Sequence, residues 1–194
     1  MDALESHVRR HQRLLTVPEY LKMAEAGLFE GERVELIRGR VVRMGPMGVD
    51  HAGTIQKMNM LLMRLFGDVA DVRPQLPMLV SNDTMPEPDF ALVDRDAPDA
   101  IEALGNTFIA IEVSDSSLKY DREVKSRLYA EARVPEFWVV NLRHHKVEVF
   151  TVLKGRRYTR HRVLEPCQIF SPLRFPQVQV KVSELLSALK PLRS

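Results

Sequence analysis

Apolar residues recur at helical spacing in two long stretches. From about His51 to Phe66 they fall at Ile55, Met58, Leu62 and Leu65, and Gly67 follows as a stop. From Asp121 to Val134, Val124, Leu128 and Ala132 stand one turn apart. A shorter helix is predicted over Pro18 to Ala26, with Thr16 as N-cap, proline in the first turn and Gly27 at the end. Another closes the chain at Val182 to Leu189. Strand patterns fill the rest. Arg33 to Ile37 and Arg40 to Met44 flank Arg38-Gly39, a hairpin signal. Val72 to Arg73, Leu76 to Ser81, Asp89 to Val93 and Thr107 to Val113 come in series. Glu136 to Asn141 has high β propensity through Phe137, Trp138, Val139 and Val140. Lys146 to Leu153 and Arg156 to Leu164 read as a second hairpin, turning at Lys154-Gly155. A helix, three strands, a helix and a strand in the middle of the chain predict an α/β fold, a mixed sheet with helices on its faces.

Several carboxylates break these patterns. Glu112 interrupts the nearly continuous apolar run Thr107 to Ser114, and alternation puts it on one face with Ala110 and Ser114. A carboxylate there is costly unless it is paired, hydrogen-bonded or bound to a metal. Pro88 lacks an N–H and suits a strand start, which places Asp89 at the head of a short apolar strand. If the two strands are neighbours, both carboxylates converge, and a cation is expected between them. Oxygen ligands in low number suit Mg²⁺ or Mn²⁺. Lys125 lies in the helix that follows the Glu112 strand, where a lysine can orient an attacking water or offset charge on a phosphate. Glu35, inside Val34-Glu35-Leu36-Ile37, and His51, after a glycine-rich loop, are further candidates. Taken singly, each has a plain reading. Asp89 can be a strand-edge residue, Glu112 a structural ion-pair partner of Lys125 or Arg127, Lys125 a solvated helix residue and Asp121 an N-cap.

Composition narrows the class. The 194 residues suit one domain, expected over residues 14–194 after a flexible leader of residues 1–13. The net charge of +2 does not by itself select a partner. The single cysteine, Cys167, excludes an intrachain disulfide and a cysteine-based zinc site. The leader has no apolar signal core and no apolar run approaches a membrane span, so the expected location is cytoplasmic. Lys154, Arg156, Arg157, Arg160 and Arg162 form a basic stretch, with Arg143, His144, His145 and Lys146 nearby. Alternation groups Arg156, Arg160 and Arg162 on one face as candidate DNA contacts; the plain alternative is a charged, protected sheet edge.

The ordered set Val34-Glu35-Leu36-Ile37-Arg38-Gly39, His51, Pro88-Asp89, Glu112-Val113-Ser114, Asp121, Lys125 and Glu136-Phe137-Trp138-Val139-Val140 resembles the Uma-type family of putative restriction endonucleases. That family lies within the PD-(D/E)XK phosphodiesterase superfamily, and the resemblance spans roughly Thr16 to Thr151. It implies a restriction-endonuclease-like core of helix, three strands, helix and strand, to which the patterns above add a helix and hairpin before it and a second hairpin after it. It implies that Asp89 and Glu112 hold the metal with the backbone carbonyl of Val113. The superfamily pattern has a lysine two residues after the glutamate; Ser114 stands there, and Lys125 is the matching position in the Uma-type pattern. Glu35 matches an upstream acidic residue that reaches the metal through water, and His51 is an assisting residue.

The expected activity is metal-dependent hydrolysis of DNA phosphodiesters, by a homodimer or higher homo-oligomer, since a double-strand cutter needs two sites. One rival is a catalytically silent binding or assembly module on the same fold. A carboxylate-pair sugar hydrolase, which needs no metal, ranks well behind.

Overall fold

A computed structural model describes His7 and residues 11–45, 49–96 and 106–187, with side chains of 49–52 and 187 excluded. Most of the expected leader therefore lies outside the described residues. The chain divides into two compact units. Residues 1–45 and 81–86 form the first, and residues 46–80 and 87–194 the second.

In the first unit, helix α1 (Val17–Glu25) starts where the Glu19 side chain accepts the Thr16 N–H at 2.9 Å, one arm of a capping box. Strands β1 (Val34–Ile37) and β2 (Arg40–Arg43) pair antiparallel. Arg38 and Gly39 both have positive φ (50° and 72°), as a tight two-residue turn requires. A Cβ at Gly39 would lie 2.5 Å from Leu14 Cβ, so no other residue fits that turn without rearrangement. Leu36 exchanges backbone bonds with Met85, and the Tyr20 hydroxyl donates to the Val34 carbonyl.

The second unit is built on a six-stranded sheet. Its order is β3 (Asp71–Pro74), β4 (Phe90–Val93), β5 (Thr107–Ser114), β6 (Glu136–Asn141), β7 (Lys146–Lys154) and β8 (Arg157–Leu164). All neighbours are antiparallel except β5 and β6. A parallel pair needs a crossover, supplied by helix α3. This helix has three consecutive parts: Leu118–Tyr120, a π-helical turn at Asp121–Lys125, and Ser126–Glu131.

One sheet face is largely apolar, apart from Glu136, which is buried there and accepts the Trp138 indole N–H at 2.8 Å. Phe90, Leu92, Ile109, Ile111, Trp138, Val140 and Val149 pack with Met58, Leu62 and Phe66 of helix α2 (Val49–Phe66). Phe170, Phe175, Val180 and Leu185 join this core from β9 (Ile169–Phe170), β10 (Val180–Lys181), α4 (Val182–Ser187) and the loop between. Each fully buried large side chain here stabilises the fold by roughly 1.5–3 kcal/mol. Leu185 and Leu186 thus pack on their own chain, while Leu189 lies outside the described residues.

The opposite face is mixed. Ala110, Phe137, Val139 and Phe150 pack with Tyr129 of α3 and with Ala132 and Val134 just after it, but Glu112, Asn141 and Glu148 are also buried. That polar portion carries the candidate chemistry.

The order α2, β3, β4, β5, α3, β6 is the one the sequence predicts, with two local differences. Leu76 to Ser81 forms no regular strand. Gln75 has φ 49°, which turns the chain out of β3, and Pro77 lacks a ladder donor. Helix α3 begins three residues before Asp121, which is therefore inside the helix and not its cap. Among the described residues, no helix is long and apolar enough to cross a membrane.

Candidate active site

The two expected carboxylates meet on one face of the sheet. Phe90 pairs with Ile111, so one more residue of the same register puts Asp89 opposite Glu112. Directly opposed residues of an antiparallel pair share a face. Both side chains are buried. Asp89 is fixed at both ends: its Oδ2 accepts the Val113 N–H at 2.7 Å, and its carbonyl accepts the Gln75 N–H at 3.1 Å. The strand pairing of β4 stops at Phe90, which leaves the Val113 N–H for the Asp89 side chain.

Lys125 joins them. Its Nζ lies 3.2 Å from Glu112 Oε1, and the lysine is only 3% exposed. The same oxygen accepts a 2.5 Å hydrogen bond from the Tyr129 hydroxyl. The π-turn contributes here: five residues in one widened turn bring Asp121 and Lys125 to the buried side together. The Ser117 hydroxyl donates to Asp121 Oδ2 at 2.6 Å and itself lies 3.4 Å from the Ser114 hydroxyl.

Electrostatics reflects this crowding. Burial pushes the Glu112 carboxyl up to about 8; Lys125 and Tyr129 oppose the shift, whereas the nearby charges of Asp89 and Asp121 add to it. Asp121 is raised as well, first by burial and further by Asp89, against the hydrogen bonds of Ser117 and Ser114 and the charge of Lys125. Three carboxyl groups and one ammonium group thus share a small desolvated volume. An all-oxygen donor set whose members repel one another is the chemistry that a hard divalent cation relieves. Asp89, Glu112 and Asp121 therefore fit such an ion, although no three His, Cys, Asp or Glu side chains among the described residues are already gathered in ligand geometry.

The remaining predicted residues are carried by other elements. Glu35 is buried on β1 in the first unit. The backbone of His51 is in the first turn of α2, and its side chain lies outside the described residues. Arg156 is in the turn before β8. Arg160 and Arg162 are exposed on β8 opposite Thr151 and Val149. Arg162 thus shares the face of Val149, away from Glu112, whereas His161, opposite Phe150, shares the face of the carboxylates.

One member of the site escapes the sequence pattern, and a second has no site role in it. Tyr129 looks like an ordinary core aromatic, and its ring does pack on Phe137 at 5.0 Å between centroids. Asp121, which the family-like set includes and which also reads plainly as an N-cap, lies inside the helix. Its i, i+4 spacing to Lys125 was the available signal.

Comparison with known proteins bears on the fold and the family. The fold is similar to the crystal structure of "a putative nuclease belonging to DUF820" from Anabaena variabilis ATCC 29413. The TM-score is 0.69 at 16% identity, over 91% of this chain and 99% of that one. No curated protein matches. The family model for Uma2, "Putative restriction endonuclease", matches residues 17–183, and the chain belongs to that family.

Proposed function

We propose that the chain is a metal-dependent endonuclease that hydrolyses DNA phosphodiesters. The observation that carries this reading is the convergence of Asp89 and Glu112 on one sheet face, with the Lys125 ammonium 3.2 Å from Glu112. Family membership and the nuclease-like fold support it.

Asp89 and Glu112, with the Val113 carbonyl, would hold Mg²⁺ or Mn²⁺, and Asp121 lies close enough to Glu112 to influence its charge. When bound, such a cation supplies Lewis-acid polarisation of a phosphoryl oxygen and lowers the pKa of water. The rest falls to the chain. The Val113 N–H and the Tyr129 hydroxyl fix the two carboxylates, so little reorganisation is needed on binding. Lys125, desolvated and rigid, offsets negative charge growing on the phosphate or orients the attacking water. Glu35 and His51 are proposed as assisting residues. The exposed Arg156, Arg160 and Arg162 add general attraction for a polyanion. A homodimer would place two such sites on a duplex.

The test is nicking of supercoiled plasmid in Mn²⁺, beside Glu112→Ala. Nicking that is lost in the variant and abolished by a chelator is the expected result. DNA bound but never nicked by the wild-type protein would point to a silent binding module. Turnover that persists in chelator would exclude the metal.

A further inference from the structure

A second buried polar cluster lies two strands from Glu112 on the same sheet face. Glu112 pairs with Val139, and Val139 pairs with Glu148 of β7. At one strand spacing each, Glu148 is about 10 Å from Glu112 across the sheet. The Glu148 side chain has no exposed surface. It accepts a fork from Arg122, Nε at 2.8 Å and Nη2 at 2.5 Å, and further contacts from His161 Nε2 at 3.0 Å and Asn141 Nδ2 at 3.2 Å. Burial alone would raise this carboxyl, but these bonds outweigh it and hold Glu148 below its ordinary value. Glu148 is thus a fixed negative anchor.

The groups it anchors face outward. Arg122 is 43% exposed and His161 42% exposed. The fork uses Nε and Nη2 of Arg122 and not Nη1. The His161 ring stacks on Phe150 at 4.1 Å, nearly parallel, so it too is held in place. Arg122 belongs to the same π-turn as Asp121 and Lys125. A flexible surface arginine loses side-chain entropy on gripping a ligand; one already locked does not.

We propose that Arg122, anchored by Glu148 beside His161, is a phosphate-binding subsite for the nucleic-acid strand, one that grips a phosphate neighbouring the scissile one. This rests on the nuclease reading above. A guanidinium suits this task because its planar donors match phosphate oxygens and its charge is permanent. Glu148 is a positioning residue and does not touch the ligand.

The experiment is duplex-DNA binding by fluorescence anisotropy over a salt series, with Ca²⁺ replacing Mn²⁺, for the wild-type protein, R122Q, R122K and E148Q. R122Q is expected to weaken binding about tenfold and to flatten the slope of log affinity against log salt by about 0.9, the share of one phosphate. R122K keeps the slope but loses affinity. E148Q frees Arg122 without removing its charge, so affinity falls with the slope unchanged. If R122Q fails to fold because Glu148 is left without its fork, R122Q/E148Q removes both charges and gives the same readout as R122Q. An R122Q protein with wild-type affinity and slope, while the wild-type protein nicks plasmid, overturns the subsite alone. A wild-type protein that neither binds nor nicks DNA brings down the subsite together with the nuclease reading.

Discussion

The Val113 N–H donates to Asp89 Oδ2 across 2.7 Å, so the head of one strand is tied to the backbone of the next. This bond holds the Asp89 carboxylate beside Glu112 despite their repulsion. Replacing Asp89 by Asn keeps a hydrogen-bond acceptor but removes one negative charge. Calorimetry should then find Mn²⁺ affinity reduced by two orders of magnitude or more, roughly 3 kcal/mol, with the fold intact. Undiminished Mn²⁺ binding by Asp89→Asn would remove this residue from the metal site.

Tyr129 donates to Glu112, a proposed metal ligand, so its effect should be indirect. Tyr129→Phe removes only the hydroxyl and keeps the packing on Phe137. Loss of an outer partner of a metal ligand typically costs about 10–100-fold in metal affinity or activity. Stability should fall by about 1–3 kcal/mol, since a buried oxygen loses one of its donors and keeps the Lys125 ammonium. Denaturant titration and nicking rates measured on one preparation would check both.

Lys125→Met nearly preserves side-chain length while removing the ammonium. Metal binding should survive, because Asp89 and Glu112 remain. Nicking should slow by about 100-fold or more if the ammonium stabilises charge developing on the phosphate. A variant that binds no Mn²⁺ would instead make Lys125 a structural counter-ion of Glu112.

The Glu112 carboxyl also predicts a pH dependence for the metal-free protein. Its value is about 8 in the folded chain against 4.5 in the unfolded chain. Between the two, the folded state retains a proton that the unfolded state has released. Stability from this group is therefore lost as pH rises through that window. It makes no difference below the window, where both states are protonated. Urea denaturation in chelator should give a more stable protein near about pH 5 than near about pH 8, and Glu112→Gln should flatten that difference. Added Mn²⁺ should oppose the loss most strongly at the alkaline end, because it binds the ionised carboxylate.

These residues differed in how visible they were before folding. Glu112 stood out because a charge interrupts a run of β-branched and aliphatic residues, and Asp89 because a proline marks the strand start before it. Such contrasts with their neighbours can be read locally. Glu148 could not be found that way. It alternates with Val147 and Val149 as an exposed hairpin residue would, and only the contacts from Arg122, His161 and Asn141 reveal a buried anchor. Tyr129 was hidden for the opposite reason: a tyrosine among core residues discloses its ring and conceals its hydroxyl. The π-turn left no mark because one widened turn hardly disturbs the spacing of Val124, Leu128 and Ala132. The two-residue strands β9 and β10 are too short for a periodic pattern to register.

The single parallel pairing in the sheet, β5 with β6, has a consequence for motion. Glu112 lies in the middle of that pairing, and Lys125 and Tyr129 lie on the helix that makes it possible. These candidate-site groups are thus mounted on the framework and not on a hinged flap. Opening them to solvent would require unzipping central strands, an event near global unfolding in cost. The amides of β5 and β6 should accordingly be among the slowest in the chain to exchange their hydrogens for deuterium, and substrate must come to a rigid surface.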